Sequence, residues 1–140
     1  FSGDIFAERG YLHFTDWPHT GNENPLKDFF LSLERIEEMD PAVIYAGHGK
    51  PVTSYTDIFS RLRYRHNKLL EILGSSVKDP VTAGRLYEMI FPVPQTGEFA
   101  DYIHYHRVLV GETAGYLNYL VSRGRISSGT EAGRTFYFGS

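Results

Sequence analysis

The residues that decide the fold are Ala42-Val43-Ile44-Tyr45-Ala46-Gly47-His48-Gly49-Lys50-Pro51. Residues 42–46 form a short apolar run of the kind that suits a strand buried on both faces. Gly47-His48-Gly49-Lys50-Pro51 then reads as a tight loop at the strand's C-terminal end. Glycines on both sides of His48 permit a sharp backbone path and leave room beside the imidazole. In α/β sheets, functional groups gather at such strand ends.

Upstream, Asn24-Pro25 opens a helix, because Asn caps free N–H groups and Pro is pre-set for the first helical position. Leu26, Phe29, Phe30, Leu33 and Ile36 recur at helical spacing and mark a core-facing stripe. Asp40-Pro41 stops this helix, since a residue before Pro avoids helical angles. Residues 1–7, which contain Gly3-Asp4, read as a buried strand, and residues 11–14 as a second short one. Residues 15–23, with Trp17-Pro18-His19, form a loop of turn formers. Strand, loop, helix, strand and loop together predict part of an α/β sandwich over residues 1–53.

Residues 54–140 have a different character. Ile58, Leu62, His66, Leu69 and Leu73, with Phe59 and Leu70 alongside, predict a long amphipathic helix ending near Gly74. Thr82 is placed to cap a helix running to about Ile90. Pro92 and Pro94 break the chain. A third helix is expected from near His106 to Arg123, with Val110, Ala114, Leu117 and Val121 on one face. Gly111 and Gly115 each weaken it by about 1 kcal/mol. Segments 125–127 and 135–138 flank a Gly-rich turn and predict a hairpin. Three helices followed by a hairpin is the winged-helix order. The predicted fold is thus an α/β sandwich portion followed by an α+β winged-helix domain.

The 140 residues are 41% hydrophobic and 15% aromatic, ample for a packed core and unlike a disordered chain. No apolar run approaches a membrane span. No export leader opens the chain, which points to the cytoplasm, although a start at Phe1-Ser2-Gly3-Asp4 reads as a fragment. Residues 1–53 carry nine acids and four bases, a net −5, whereas residues 54–140 carry eight acids and ten bases, a net +2. That contrast fits two units. With no cysteine, any metal must be held by His and carboxylate.

Asp4 and His48 are the candidate ligands, each where a strand meets a loop, and together they suit zinc or another first-row divalent ion. Spacing alone also admits a plain reading, with Asp4 a turn residue and His48 an ordinary loop histidine. Trp17 and His19 are candidates for lining a substrate mouth, with packing under the loop as the alternative for Trp17. His66, on an apolar helix face, reads as a hydrogen-bonded core histidine. His104 and His106 are placed at a helix start, and Tyr102, Tyr105, Tyr116 and Tyr119 in packing. Arg61, Arg63 and Arg65 read as a solvated helix face.

Phe1-Ser2-Gly3-Asp4 resembles the Ser/Thr-Gly-Asp element of the metallo-β-lactamase superfamily. Residues 44–51 resemble its Pro-Gly-His-Gly-Pro-Pro element, with Ala46 for the first Pro and Lys50 for a later one. The order of Arg65-His66, residues 82–90 and residues 117–126 resembles a glyoxalase-II-like, β-lactamase-like subgroup of hydrolases with a C-terminal winged helix. The resemblance implies that Asp4 bridges two zinc ions and that His48 ligates the second. Such a pair lowers the pKa of a bridging water to about 7 and polarises a carbonyl or phosphoryl group. A thioester, an ester or lactone, and a phosphodiester are the implied substrate classes. The family's His-x-His-x-Asp-His cluster and one further histidine are absent, and His104-Tyr105-His106-Arg107 is not that cluster. The expectation is therefore that the chain by itself neither binds metal tightly nor hydrolyses, and that its partner is an upstream metal-binding half.

The competing reading is a winged-helix module that binds nucleic acid or protein. A surplus of only +2 and the presence of Glu112 and several tyrosines in the third helix weigh against nucleic acid. Self-association is also expected if an apolar face of the sheet portion lies uncovered.

Overall fold

The computed structural model describes residues 24–47, 49–91 and 99–139, without the side chains of 99–105. The predicted strands at 1–7 and 11–14 and the 15–23 loop lie outside the described residues. Among the described residues, four helices come first, α1 (Pro25–Met39), α2 (Thr56–Ser76), α3 (Ala83–Ile90) and α4 (Phe99–Ser122). An antiparallel hairpin follows, β1 (Ile126–Glu131) paired with β2 (Arg134–Gly139).

Helix α1 begins as its sequence dictates. Asn24 accepts a hydrogen bond from the Lys27 N–H at 3.2 Å, and Pro25 occupies the first turn. The Asn24 Nδ2 also donates to Ser122 Oγ at 2.9 Å, tying the start of α1 to the end of α4. The helix closes at Asp40, which adopts the left-handed region at φ 42°. Leu26, Leu33 and Ile36 are buried and Phe29 and Phe30 half-buried, as the stripe predicts.

Helix α2 runs two residues past Gly74, which lies beside the Leu120 and Arg125 side chains. The Ser75 and Ser76 hydroxyls donate back to the Ile72 carbonyl near its end. Helix α3 is capped by Thr82, which accepts from the Arg85 N–H.

Helix α4 differs from expectation in start and in burial. It begins at Phe99, about two turns before His106, so His104 and His106 lie within it. From Val108 to Val121 no residue is exposed, and Glu112, Thr113, Tyr116, Leu117 and Leu120 are all buried. In place of the expected one-faced stripe, the helix packs against α1, α2, α3 and β1, and its buried surface includes polar side chains, with Thr113 Oγ1 donating to the Leu109 carbonyl at 2.8 Å. Tertiary packing outweighs the helix cost of Gly111 and Gly115.

The hairpin turns through Ala132 (φ 49°) and Gly133 (φ 73°). Positive φ at both positions gives the twist that two-residue hairpin turns need. Ile126 and Tyr137 point inward, and Tyr137 exchanges two backbone hydrogen bonds with Val81, between α2 and α3. The Tyr137 hydroxyl donates to Asn118 Oδ1 at 2.8 Å. Among the described residues, two apolar clusters result. One joins Leu26 of α1 to Leu70, Leu73, Leu86, Tyr116, Leu117, Leu120, Ile126 and Tyr137. The other gathers Leu33, Ile36, Ile44, Val52, Ile58, Phe59 and Leu62, and Phe29 packs against both.

The apolar run at 42–46 departs most from its sequence reading. Ile44 is buried and bridges Val52, Ala46 is half-buried and also takes part in a bridge, while Val43 and Tyr45 are 40% and 50% exposed. The run folds back on its own continuation eight residues later. Among the described residues one face of it meets the core and the other does not.

Candidate functional site

The described residues on either side of the Gly-His-Gly motif form a closed frame. Ile44 N–H donates to the Val52 carbonyl and Val52 N–H to the Ile44 carbonyl, both at 2.8 Å. Both side chains are buried in the apolar cluster that includes Phe59 and Leu62, so the residues on either side of positions 45–51 are anchored in the core. Gly49 has φ 94°, a conformation that a side chain at this position would strain. The glycine after His48 is therefore required by the backbone path itself.

A second closure lies outside the first. Tyr55, at the N-terminus of α2, donates its hydroxyl to Asp40 Oδ1 at 2.8 Å, and its ring lies 5.2 Å from that of Phe59. The hydrogen bond to Asp40, then burial, then the charges of Asp40 and Glu37 raise the pKa of Tyr55. About two turns into α2, and one turn back from the end of α1, Arg63 donates from both terminal nitrogens to the two Glu37 carboxylate oxygens at 2.6 Å. This fork lowers the Glu37 pKa, mainly through the hydrogen bonds themselves. Arg63 thus departs from the solvated-face expectation, whereas Arg61 and Arg65 are exposed as expected.

Asp4, His48, Trp17 and His19, the four residues the sequence nominates, all lie outside the described residues. Among the described residues, no three His, Asp or Glu side chains come together as a metal site. What the described part supplies is the frame around the loop, not a ligand set.

In the tail, His66 is 3% exposed, with Nδ1 2.7 Å from the Tyr116 hydroxyl and the rings of Phe29 and Phe30 edge-on to it. Burial, and secondarily the charge of Arg65, pushes its pKa down to about 4. It is the core histidine that its helix face predicts. His106 is half-buried with its ring edge-on to Tyr87 at 5.3 Å. Tyr116 is buried and Tyr119 packs against Phe30, so both serve in packing. The sequence reading missed Tyr55, Asp40 and the Glu37–Arg63 pair. The available signal was spacing: residues 55, 59 and 63 share one stripe of α2, and the core residue Phe59 lies between the two polar ones.

Over 115 residues, 81% of its length, the chain is 30% identical to "Probable metallo-hydrolase YqjP" of Bacillus subtilis (strain 168). It matches the crystal structure of the metallo-β-lactamase family protein TTHA1429 from Thermus thermophilus at 30% identity and a TM-score of 0.76. The chain belongs to the metallo-β-lactamase superfamily. A β-lactamase domain protein from Burkholderia ambifaria is similar at 25% identity with a TM-score of 0.81. Both superfamily structures cover 99% of the chain. The chain spans 34% of the length of YqjP and 40% of each structure. No family model matches. No described helix is long and apolar enough to cross a membrane.

Proposed function

We propose that this chain is the C-terminal part of a metal-dependent hydrolase. In this reading Asp4 and His48 are ligands of a dinuclear, zinc-type centre completed by an upstream segment, and α2 to β2 form a winged-helix tail. When bound, the metal pair supplies an activated water and polarises the scissile bond of a thioester, an ester or lactone, or a phosphodiester. The role of this chain is to present His48 from an anchored loop, with Trp17 and His19 at the substrate mouth.

The observation that carries the proposal is the pair of closures flanking the Gly-His-Gly motif, Ile44 with Val52 and Tyr55 with Asp40, in a chain that aligns along nearly its whole length with metallo-β-lactamase family structures. The relative named a metallo-hydrolase supports the reaction class.

The enclosure of α4 supports a packing role for the tail over nucleic-acid recognition. A recognition helix must offer an exposed polar face to a groove, and α4 has no exposed residue between positions 108 and 121. The expected result is hydrolysis by the chain joined to its upstream segment, tested on all three substrate classes, with loss of turnover in Asp4→Asn. Salt-sensitive micromolar binding of duplex DNA, without hydrolysis of any class, would overturn the proposal.

A further inference from the structure

The segment between α1 and α2 is held by more than its backbone. Taken by itself, the bridge of Ile44 with Val52 is a weak fastening, since even a complete two-stranded hairpin is marginal in water. Tyr55 adds what the bridge lacks. It occupies the N-cap of α2, where Ser, Thr, Asp or Asn would be favoured, and its side chain makes no cap bond. Ser54 and Thr56 flank it, so a capping hydroxyl is one residue away on either side. The side chain reaches instead across to Asp40, whose left-handed backbone ends α1.

Below this contact, Phe59 is fully buried among Leu33, Ile36 and Leu62, and below that Arg63 grips Glu37 through both nitrogens. Two polar rungs with an apolar rung between them thus join the end of α1 to the start of α2. The chain between Asp40 and Tyr55 must leave and re-enter at a fixed separation.

We propose that Tyr55 is a positioning residue for the 45–51 loop, its hydroxyl on Asp40 latching the loop's exit to the end of α1. The consequence for chemistry rests on the hydrolase reading, but the latch itself does not. Its occupant is internal, its acceptor is a carboxylate oxygen, and it acts by narrowing the conformations open to the Ile44–Val52 bridge.

The test is amide hydrogen exchange on the full 140-residue chain. Tyr55→Phe keeps the ring against Phe59 and removes only the hydroxyl. Exchange at the Ile44 and Val52 amides is expected to accelerate roughly threefold or more, as a partly solvated hydrogen bond to a carboxylate is lost, with Leu70 and Leu117 unchanged. Asp40→Asn retains an oxygen acceptor and tolerates left-handed backbone, so it is expected to stay near wild type. Unchanged exchange at both bridge amides in Tyr55→Phe overturns the proposal. So does an equal acceleration throughout the chain, which makes Tyr55 a general stabiliser. No metal or substrate enters this measurement, so its failure and the failure of the hydrolase reading are read separately.

Discussion

Acidification should unfold this protein through one imidazole more than through any other single histidine described. His66 is enclosed by α1, α2 and α4 and bonded to Tyr116, and burial holds its pKa at about 4 against 6.5 for an unperturbed side chain. Above pH 6.5 the group is neutral in the folded and unfolded chain alike and contributes no pH dependence. Between about 6.5 and 4 the unfolded chain binds a proton that the folded chain refuses, so stability falls as the pH falls. Below about 4 both states are protonated and this loss stops growing. The interval between the two pKa values corresponds to about 3 kcal/mol, a large part of the stability of a domain of this size. The comparison is between wild type and His66→Gln, which keeps a polar end near Tyr116 and does not titrate. Urea unfolding followed by circular dichroism from pH 7 to pH 4 gives the stability of each. Carboxylates titrate in both proteins and cancel in the difference. Wild type should lose about 3 kcal/mol relative to the variant across the interval. A difference that stays constant with pH would refute the assignment of a buried, neutral histidine.

Three further outcomes follow from packing and charge. Leu117→Ala, at a fully buried position in the larger cluster, should cost about 3 kcal/mol in the same unfolding assay. Gly139→Ala should cost about 1–3 kcal/mol, because its Cβ would lie 2.5 Å from the Val77 carbonyl oxygen, whereas Gly129→Ala meets only the Phe138 ring at 3.4 Å and should cost less. Arg63→Ala should cost less than about 1 kcal/mol, since both partners are about a third exposed, and that cost should shrink as salt is added.

Helices were legible in the sequence where local chemistry and burial agree. Asn24-Pro25 and Thr82 cap the helices that their positions predict, and the apolar stripes of α1 and α2 are the buried ones. The hairpin sits where the Gly-rich turn places it. Differences arise where tertiary packing decides. Gly74 resembles a helix end but lies inside α2, beside Leu120 of α4, and α4 looks one-sided until four elements pack against it. Residues 42–46 have the composition of a strand buried on both faces, yet composition does not say which partner strand is present, and the described residues offer only Val52. The candidate ligands were legible only as motifs, Gly-Asp and Gly-His-Gly, whereas the residues that fasten the loop belong to two different helices and their ends. No linear motif links Asp40 to Tyr55 or Glu37 to Arg63. Their pairing exists only once α1 and α2 have been brought side by side by Leu33, Ile36 and Phe59.

The central claim is that this chain contributes ligands to a metal centre shared with an upstream segment. It is tested most directly by elemental analysis of the protein purified with that segment attached, as wild type and as His48→Ala. About two divalent ions per chain are expected in the wild type, with a clear loss of metal in the variant. Equal metal content in the two proteins, or none in the wild type, would contradict the claim.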